Sequence, residues 1–356
     1  MVNRRNTRVV VAMSGGVDSS VAAALLAEQG YDVVGIMLNL WSEEGRAHAN
    51  RCCTPADVAT ARAIASQLDI PFYHVNVAGS FKSRVVDFFI SEYAAGRTPN
   101  PCLECNRHIR FGILLSQALG LGAQYLATGH YARIREVHGR FELLRAVDLN
   151  KDQSYALSVL GQHELAHALF PLGELTKPEV RAHASRLGLP VAEKAESQDL
   201  CFLGDGDYRG FLTRRAPDTV RPGEIRDTAG RVVGAHRGLA FFTIGQRKGL
   251  NVTAPEPMYV IRKIVDENAV VVGPAHELGR RVCAARDMHY VCGVAPVEPF
   301  RVTAKVRYKA REAPATVFPD GREARIHFDE LQRDITPGQG LVMFDGEVVV
   351  GQGVIV

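Results

Sequence analysis

Two short stretches hold residue types whose spacing suits chemistry better than packing. The first is Ala12-Met13-Ser14-Gly15-Gly16-Val17-Asp18-Ser19-Ser20. Its glycines lack Cβ atoms and let backbone N–H groups approach an anion, while a helix start just beyond them adds partial positive charge. Ser14, Ser19 and Ser20 add hydroxyl donors. No Lys-Ser/Thr pair follows the second glycine, so this is not a Walker loop. The second stretch is Thr98-Pro99-Asn100-Pro101-Cys102-Leu103-Glu104-Cys105-Asn106-Arg107. Two prolines stiffen it, and the C-x-x-C opens toward a helix expected to begin near Arg107 or His108. A thiol at a helix start beside an arginine should ionise below the ~8.5 of free cysteine, and a thiolate is what nucleophilic sulfur chemistry needs. Half of a structural zinc site is the alternative, but there is no second C-x-x-C to complete four ligands.

The elements that must position these residues alternate. Arg8 to Val11 reads as a buried β-branched strand, and Val21 to Gln29 as a helix stopped by Gly30. Tyr31–Leu40 and Phe72–Val77 read as strands. Asp57–Leu68, capped by Thr54 and Pro55, and Phe81–Ala95 read as helices. A loop over 96–106 leads into a helix to about Leu119. The strand Gln124–Thr128 then delivers Gly129-His130 to its carboxyl end, where open α/β sheets bind ligands. Helical patterns over 162–169 and 177–187 follow. This is the order of an α/β, doubly wound parallel sheet over 1–206. Residues 207–275 form a small basic segment. Within Asp207 to Leu250 nine Lys or Arg face four acids, a net charge of +5. Residues 276–356 show short strands and turns, the pattern of a C-terminal β-barrel. In the strand Arg301–Lys309 the period of two places Arg301, Lys305, Arg307 and Lys309 on one face. With the basic middle segment, that face reads as a phosphate-backbone contact surface.

At 356 residues, 46% hydrophobic and 23% charged, the composition is that of a soluble globular chain of two or three domains. No apolar run approaches the ~20 residues of a membrane span. The run after the basic start is too short for a secretion signal of ~7–15 apolar residues. A cytoplasmic location, without membrane partners, is expected. Seven cysteines at irregular spacing point to redox or metal chemistry rather than a disulfide framework. Cys283 and Cys292 read as barrel core, Trp41 as packing, and Cys52-Cys53 have no assigned role.

The loop Ser14–Ser19 resembles the S-G-G-x-D-S loop of the ATP pyrophosphatases, which hold the β,γ-pyrophosphate so that a substrate attacks the α-phosphorus. Asp18 would help place Mg²⁺ there. Further stretches extend the likeness: T-P-N-P-x-x-x-C-N (98–106), A-T-G-H-Y-A-R (127–133), K-D-Q-S-Y (151–155) and S-Q-D-L-C-F (197–202). T-I-G-Q-R-K-G-L (243–250), V-R-Y (306–308) and P-G-Q (337–339) follow. Taken in order they make the chain similar, end to end, to the tRNA-specific 2-thiouridylases. The resemblance implies an ATP pyrophosphatase domain, a small central domain and a β-barrel. It implies ATP-dependent sulfur transfer to C2 of the wobble uridine, U34, in tRNAs for Lys, Glu and Gln, with a protein that donates persulfide sulfur. Carried over residue by residue, Cys105 is the nucleophile and Cys201 receives the persulfide, the two joining in a disulfide unless sulfide leaves. Residues Ala12, Met13, Ser14, Gly15, Gly16, Val17, Asp18, Ser19, Met37 and Gly129 would bind ATP. Asn100, Pro101 and Cys102 would lie against the target base. His130, Lys151, Asp152, Gln153, Arg307, Tyr308 and Gln339 would contact tRNA.

One position departs from the family pattern: Cys102 stands where many members carry Asp, which leaves the acid/base role open. It also creates a trio, Cys102, Cys105 and Cys201, that would suit a [4Fe–4S] cluster with one open iron. Two other functions compete. A small-molecule ATP pyrophosphatase (an amidating ligase or synthetase) explains Ser14–Ser19 but not the cysteines. A non-catalytic RNA-binding protein with a metal-bound cysteine loop explains the basic segments but not the nucleotide loop.

Overall fold

The computed structural model describes residues 4–43, 54–195, 200–203 and 206–356. Cys52-Cys53 and Ser197-Gln198-Asp199 of the S-Q-D-L-C-F stretch lie outside the described residues.

Strand β1 (Arg8–Met13) is buried on both faces, with Val9, Val10 and Val11 fully shielded. Helix α1 (Val17–Glu28) follows the glycine turn and is apolar almost all round. Gly30, at φ +85°, ends it: its N–H reaches Ala27 O while Tyr31 N–H reaches Leu26 O. Then come β2 (Asp32–Asn39), α2 (Pro55–Gln67) and β3 (Phe72–Asn76). Thr54 caps α2 reciprocally with Asp57, and Pro55 occupies its first turn, as expected. Helix α3 (Ala78–Phe81) runs through a wider π-helical turn (Lys82–Val86) into α4 (Asp87–Ala94). Helix α5 (Pro101–Glu104) likewise widens over Cys105–Leu114 before α6 (Leu115–Gly120), and β4 (Tyr125–Thr128) follows.

The strands β5 (Ala132–Val137) and β6 (Arg140–Arg145) form a hairpin that the sequence reading did not anticipate. Its charged residues hide the period of two, but His138 (φ +50°) and Gly139 (φ +73°) supply a tight hairpin turn. Helices α7 (Ser154–Leu157) and α8 (Gln162–Ala166) lead to β7 (Ala168–Leu169). The helix expected over 162–169 therefore stops early, and its last residues pair with β4. Helix α9 (Lys177–Arg186) closes this part. The sheet order is β3-β2-β1-β4-β7, with every pair parallel. The chain leaves β1 to one side and returns through β4 on the other, which opens a crevice beyond their carboxyl ends.

Helix α10 (Tyr208–Arg215) precedes a four-stranded sheet ordered β10-β11-β8-β9. Its strands are β8 (Gly223–Asp227), β9 (Val232–His236), β10 (Met258–Ile264) and β11 (Ala269–Pro274). The last strands are β12 (Arg280–Tyr290), β13 (Phe300–Lys305), β14 (Ala313–Asp320), β15 (Glu323–Gln332), β16 (Gly340–Asp345) and β17 (Val348–Ile355). They are ordered β12-β15-β14-β13-β16-β17, and β12 pairs with β17 to close a six-stranded antiparallel barrel. Hairpin strand β6 pairs with β17, so the barrel sheet continues into the N-terminal unit. Arg145 secures that seam with two 2.6 Å bonds to Glu312 and lies 3.8 Å from the centre of the Phe344 ring.

Val9, Val11 and Met13 face a core shared with α1, α2 and α9. Val10 faces another that takes in Val342, Phe344 and Val349 of the barrel. A further core joins α4, Cys105, Phe202 and α10.

Three other expectations are corrected. Cys292 lies past the end of β12 and is exposed, whereas Cys283 is buried with its thiol pushed up to about 12. The basic strand ends at Lys305, and Arg307 follows it in a turn. Val302, Ala304 and Val306 are buried as expected, but the opposite face is largely neutralised. Arg301 grips Asp329 through two bonds, Lys305 stands 3.8 Å from Glu312, and Arg307 bonds Asp334. In the middle segment Arg226 and Arg231 also meet acids, while Arg221, Arg237, Arg247 and Lys248 are exposed.

Candidate active site

The glycine turn sits at the switch-point crevice. Ser14 N–H donates to Ser19 Oγ at 3.1 Å, and Ser20 Oγ donates to Gly16 O at 2.8 Å, so the hydroxyls brace the turn. Gly15 has φ +69°, and a Cβ there would lie 2.6 Å from Asp57 O. Gly129 abuts α1 so closely that a Cβ would sit 2.7 Å from Ser19 N. Gly15 is demanded by conformation as well as by contact, Gly129 by contact alone. Met37 is fully buried, in register with Met13.

Two lysines missed by the sequence reading converge on this turn. Lys177 Nζ donates to Asp18 Oδ1 at 2.6 Å, and Tyr131 Oη donates to the same oxygen at 2.8 Å. Lys194 Nζ donates to Gly15 O at 3.0 Å and to Asp57 Oδ1 at 2.7 Å. They lie more than 150 residues from the loop, so no local motif announces them. Lys177 is mostly buried, and burying a cation is costly without a partner such as Asp18.

The cysteine stretch is a helix from its outset. Pro101 fills the first helical position, and Asn100 Oδ1 accepts from Cys102 N–H at 3.1 Å. The helix thus starts at Pro101 rather than at Arg107. Cys102 lies in its first turn and is exposed, whereas Cys105 is only 8% exposed. Burial pushes the Cys105 thiol up, opposed by the charge of Arg110. The expected easy ionisation beside Arg107 is therefore overturned: desolvation outweighs the nearby cation, and Arg107 turns to Glu104.

Cys105 and Cys201 pack in the same apolar cluster, among Phe81, Phe89, Phe202 and Phe211. Asn106 Nδ2 donates to Ala156 O, and Arg110 donates to Asn106 Oδ1 and to His130 Nε2 at 3.0 Å. His130 Nδ1 meets Thr128 Oγ1 at 2.7 Å. A polar chain thus ties the thiol-bearing helix to the strand end that carries Gly129. His130 is buried, and desolvation with Arg110 holds its pKa well below the ordinary value.

The other residues expected at tRNA divide. Asp152 is buried and accepts from Ala146 N, Ser154 N and Ser154 Oγ, bonds that brace the turn. Gln153 clasps Tyr131 through N–H and Oε1. Lys151 and Gln339 are half-buried. Tyr308 is exposed, stands edge-on to Tyr155 at 5.6 Å, and donates to Asp152 O at 3.3 Å. Tyr155 donates to Gly340 O of the barrel. Thr98 N–H donates to Pro337 O, and Thr98 Oγ1 meets Thr243 Oγ1 at 3.3 Å. The Asn100–Cys102 turn therefore lies where the N-terminal sheet, the central segment and the barrel come together.

No three His, Cys, Asp or Glu side chains among the described residues come together to hold a metal. Cys102, Cys105 and Cys201 are not among such groups, and Cys102 is exposed where Cys105 is buried.

A doubly wound sheet that offers a glycine turn, braced serines and an aspartate at its switch point defines an ATP pyrophosphatase. The chain matches the models described as the tRNA methyl transferase HUP domain over 7–205 and PRC-barrel domain over 209–274. It also matches the aminomethyltransferase beta-barrel domain over 280–355. It is 52% identical over 351 residues to the tRNA-specific 2-thiouridylase MnmA of Moorella thermoacetica, covering 97% of this chain and 98% of that one. The protein of the same name from Symbiobacterium thermophilum is 48% identical over 358 residues, covering 98% and 92%. A solved 4-thiouridine synthetase–RNA complex superposes only loosely, with a TM-score of 0.36 and 17% identity over 60% of this chain and 51% of that one. The chain belongs to the tRNA-specific 2-thiouridylase family.

Proposed function

We propose that this protein uses ATP to replace the C2 oxygen of the wobble uridine, U34, of tRNA with sulfur. A carbonyl oxygen is a poor leaving group; adenylation with release of pyrophosphate turns it into one that departs as AMP. The turn of Ser14–Ser19, the start of α1 and the two lysines favour the triphosphate's negative charge. Mg²⁺ supplies further neutralisation when bound, with Asp18 as the carboxylate at the turn. Its Oδ1 is already engaged by Lys177 and Tyr131. Asn100 and Pro101, with exposed Cys102, face the activated base.

Sulfur arrives as a persulfide on Cys201, taken from a persulfide-bearing donor protein. Its terminal sulfur attacks C2 and AMP departs. Cys105 then attacks the Cys201 sulfur, leaving 2-thiouridine and a Cys105–Cys201 disulfide. Burial keeps Cys105 from idle oxidation. The tRNAs for Lys, Glu and Gln are the substrates this reading assigns, and the cytoplasm is its setting. Among the described residues no helix is long and apolar enough to cross a membrane. The observation that carries the proposal is the packing of Cys105 and Cys201 in one cluster, tied by Arg110 and His130 to the nucleotide crevice. An amidating ligase would leave both thiols idle. The test is mass analysis of tRNA nucleosides after incubation with ATP and a persulfide source. 2-Thiouridine is expected with the wild type and absent with Cys105→Ser and Cys201→Ser; its formation by either variant overturns the mechanism.

A further inference from the structure

Turnover by this route leaves a disulfide where solvent thiols have poor access. Cys105 is 8% exposed and Cys201 only partly exposed, both among aromatic rings. Resetting the site needs a thiol that can reach it, and the molecule places one three residues away. Cys102 is exposed, lies one helical turn before Cys105, and is fixed by Pro101 and the Asn100 cap. Residues at this spacing share a helix face, with Cβ atoms ~5–6 Å apart. A disulfide needs ~3.5–4.5 Å, so closure asks for an approach of about 1–2 Å. The helix changes from α to wider π winding at Cys105, where main-chain hydrogen bonds already alter their spacing.

We propose that Cys102 is the exit thiol of the site: it draws the disulfide outward from Cys105–Cys201 to Cys102–Cys105, where a thiol reductant in solvent can reach it. The inference rests on the sulfur-transfer reading above. The Cys102 thiolate attacks the Cys105 sulfur; a Cys102–Cys105 bond forms, the Cys105–Cys201 bond breaks, and the electron pair leaves on Cys201. That thiolate takes up a proton and is ready for the next persulfide. This exchange has no net redox change. A dithiol reductant then attacks the exposed Cys102 sulfur, is itself oxidised to a disulfide, and returns Cys102 and Cys105 as thiols. The chain thus has a use for a third cysteine beside Cys105 and Cys201.

The experiment runs wild type and Cys102→Ser with ATP, tRNA and a persulfide source. One reaction lacks reductant; the other contains thioredoxin with its reductase. After a single turnover without reductant, peptide mapping should find Cys102–Cys105 linked in the wild type and Cys105–Cys201 linked in Cys102→Ser. In the variant the steady-state rate divided by its own single-turnover rate should fall by ~10-fold or more relative to wild type, which separates resetting of the site from any change in base binding. Wild-type enzyme holding only Cys105–Cys201, or an unchanged ratio of these rates in Cys102→Ser, overturns the exit role. Absence of 2-thiouridine from the wild-type single turnover would instead defeat the underlying function.

Discussion

Gly129 offers the sharpest test of how closely the nucleotide crevice is built. Its position, between the end of β4 and the first turn of α1, leaves a substituted Cβ 2.7 Å from Ser19 N and 2.8 Å from the carbonyl carbon of Asp18. Both are main-chain atoms, so no side chain can rotate aside. Ordinary contact begins near 3.4 Å, so β4 and α1 must part by about 0.7 Å, an overpacking that costs ~1–3 kcal/mol. The same shift moves Ser19 and Asp18 against the phosphates, and displacements of this size cost up to ~100-fold in rate. Gly129→Ala should therefore lower kcat/KM for ATP by ~10–100-fold in tRNA-dependent pyrophosphate release, with a lower unfolding midpoint in urea. Gly120→Ala, with nothing within 4 Å of the added atom, is the control. A Gly129→Ala enzyme whose KM for ATP and unfolding midpoint match the wild type would refute the reasoning.

Lys177→Met leaves Asp18 with Tyr131 but no cation; it should cost ~1–3 kcal/mol in urea unfolding and weaken ATP binding by calorimetry, and unchanged affinity counts against the lysine. Because burial holds the Cys105 proton, single-turnover sulfur transfer should still be rising well above about pH 8, where an exposed thiol is already about a quarter ionised. Arg110→Gln, which removes the opposing charge, should move that limb to higher pH; a profile already flat at pH 8 contradicts both statements. Arg145→Leu leaves Glu312 at the seam between hairpin and barrel with only the Thr303 hydroxyl and Lys305 at 3.8 Å. The expected loss is about 2–3 kcal/mol, below the ~3–5 of a fully buried pair because Glu312 is 28% exposed. Its KM for tRNA should rise more than its KM for ATP, and equal changes in both would argue against a positioning role for the seam.

The nucleotide turn, the strands around it and the Thr54 cap could be read directly, because each depends on residues a few positions apart. The family likeness likewise named Cys105 and Cys201. Reading failed where a tertiary contact outweighed a local signal. Charged side chains disguised β5 and β6, whose pairing serves the barrel seam. Cys105 looked ionisable beside Arg107, yet the aromatic cluster around it raises its pKa.

The chain by itself determined that a phosphate-binding turn joins a buried strand to a helix and that a proline-flanked thiol pair follows, since proline, glycine and β-branched residues restrict the backbone locally. Only the tertiary structure decided that Lys177 and Lys194 close on that turn, that Cys105 and Cys201 belong to one apolar cluster, and that Cys102 remains exposed. Those outcomes depend on which surfaces exclude water from one another, and desolvation is a property of the assembled fold rather than of any short stretch of it.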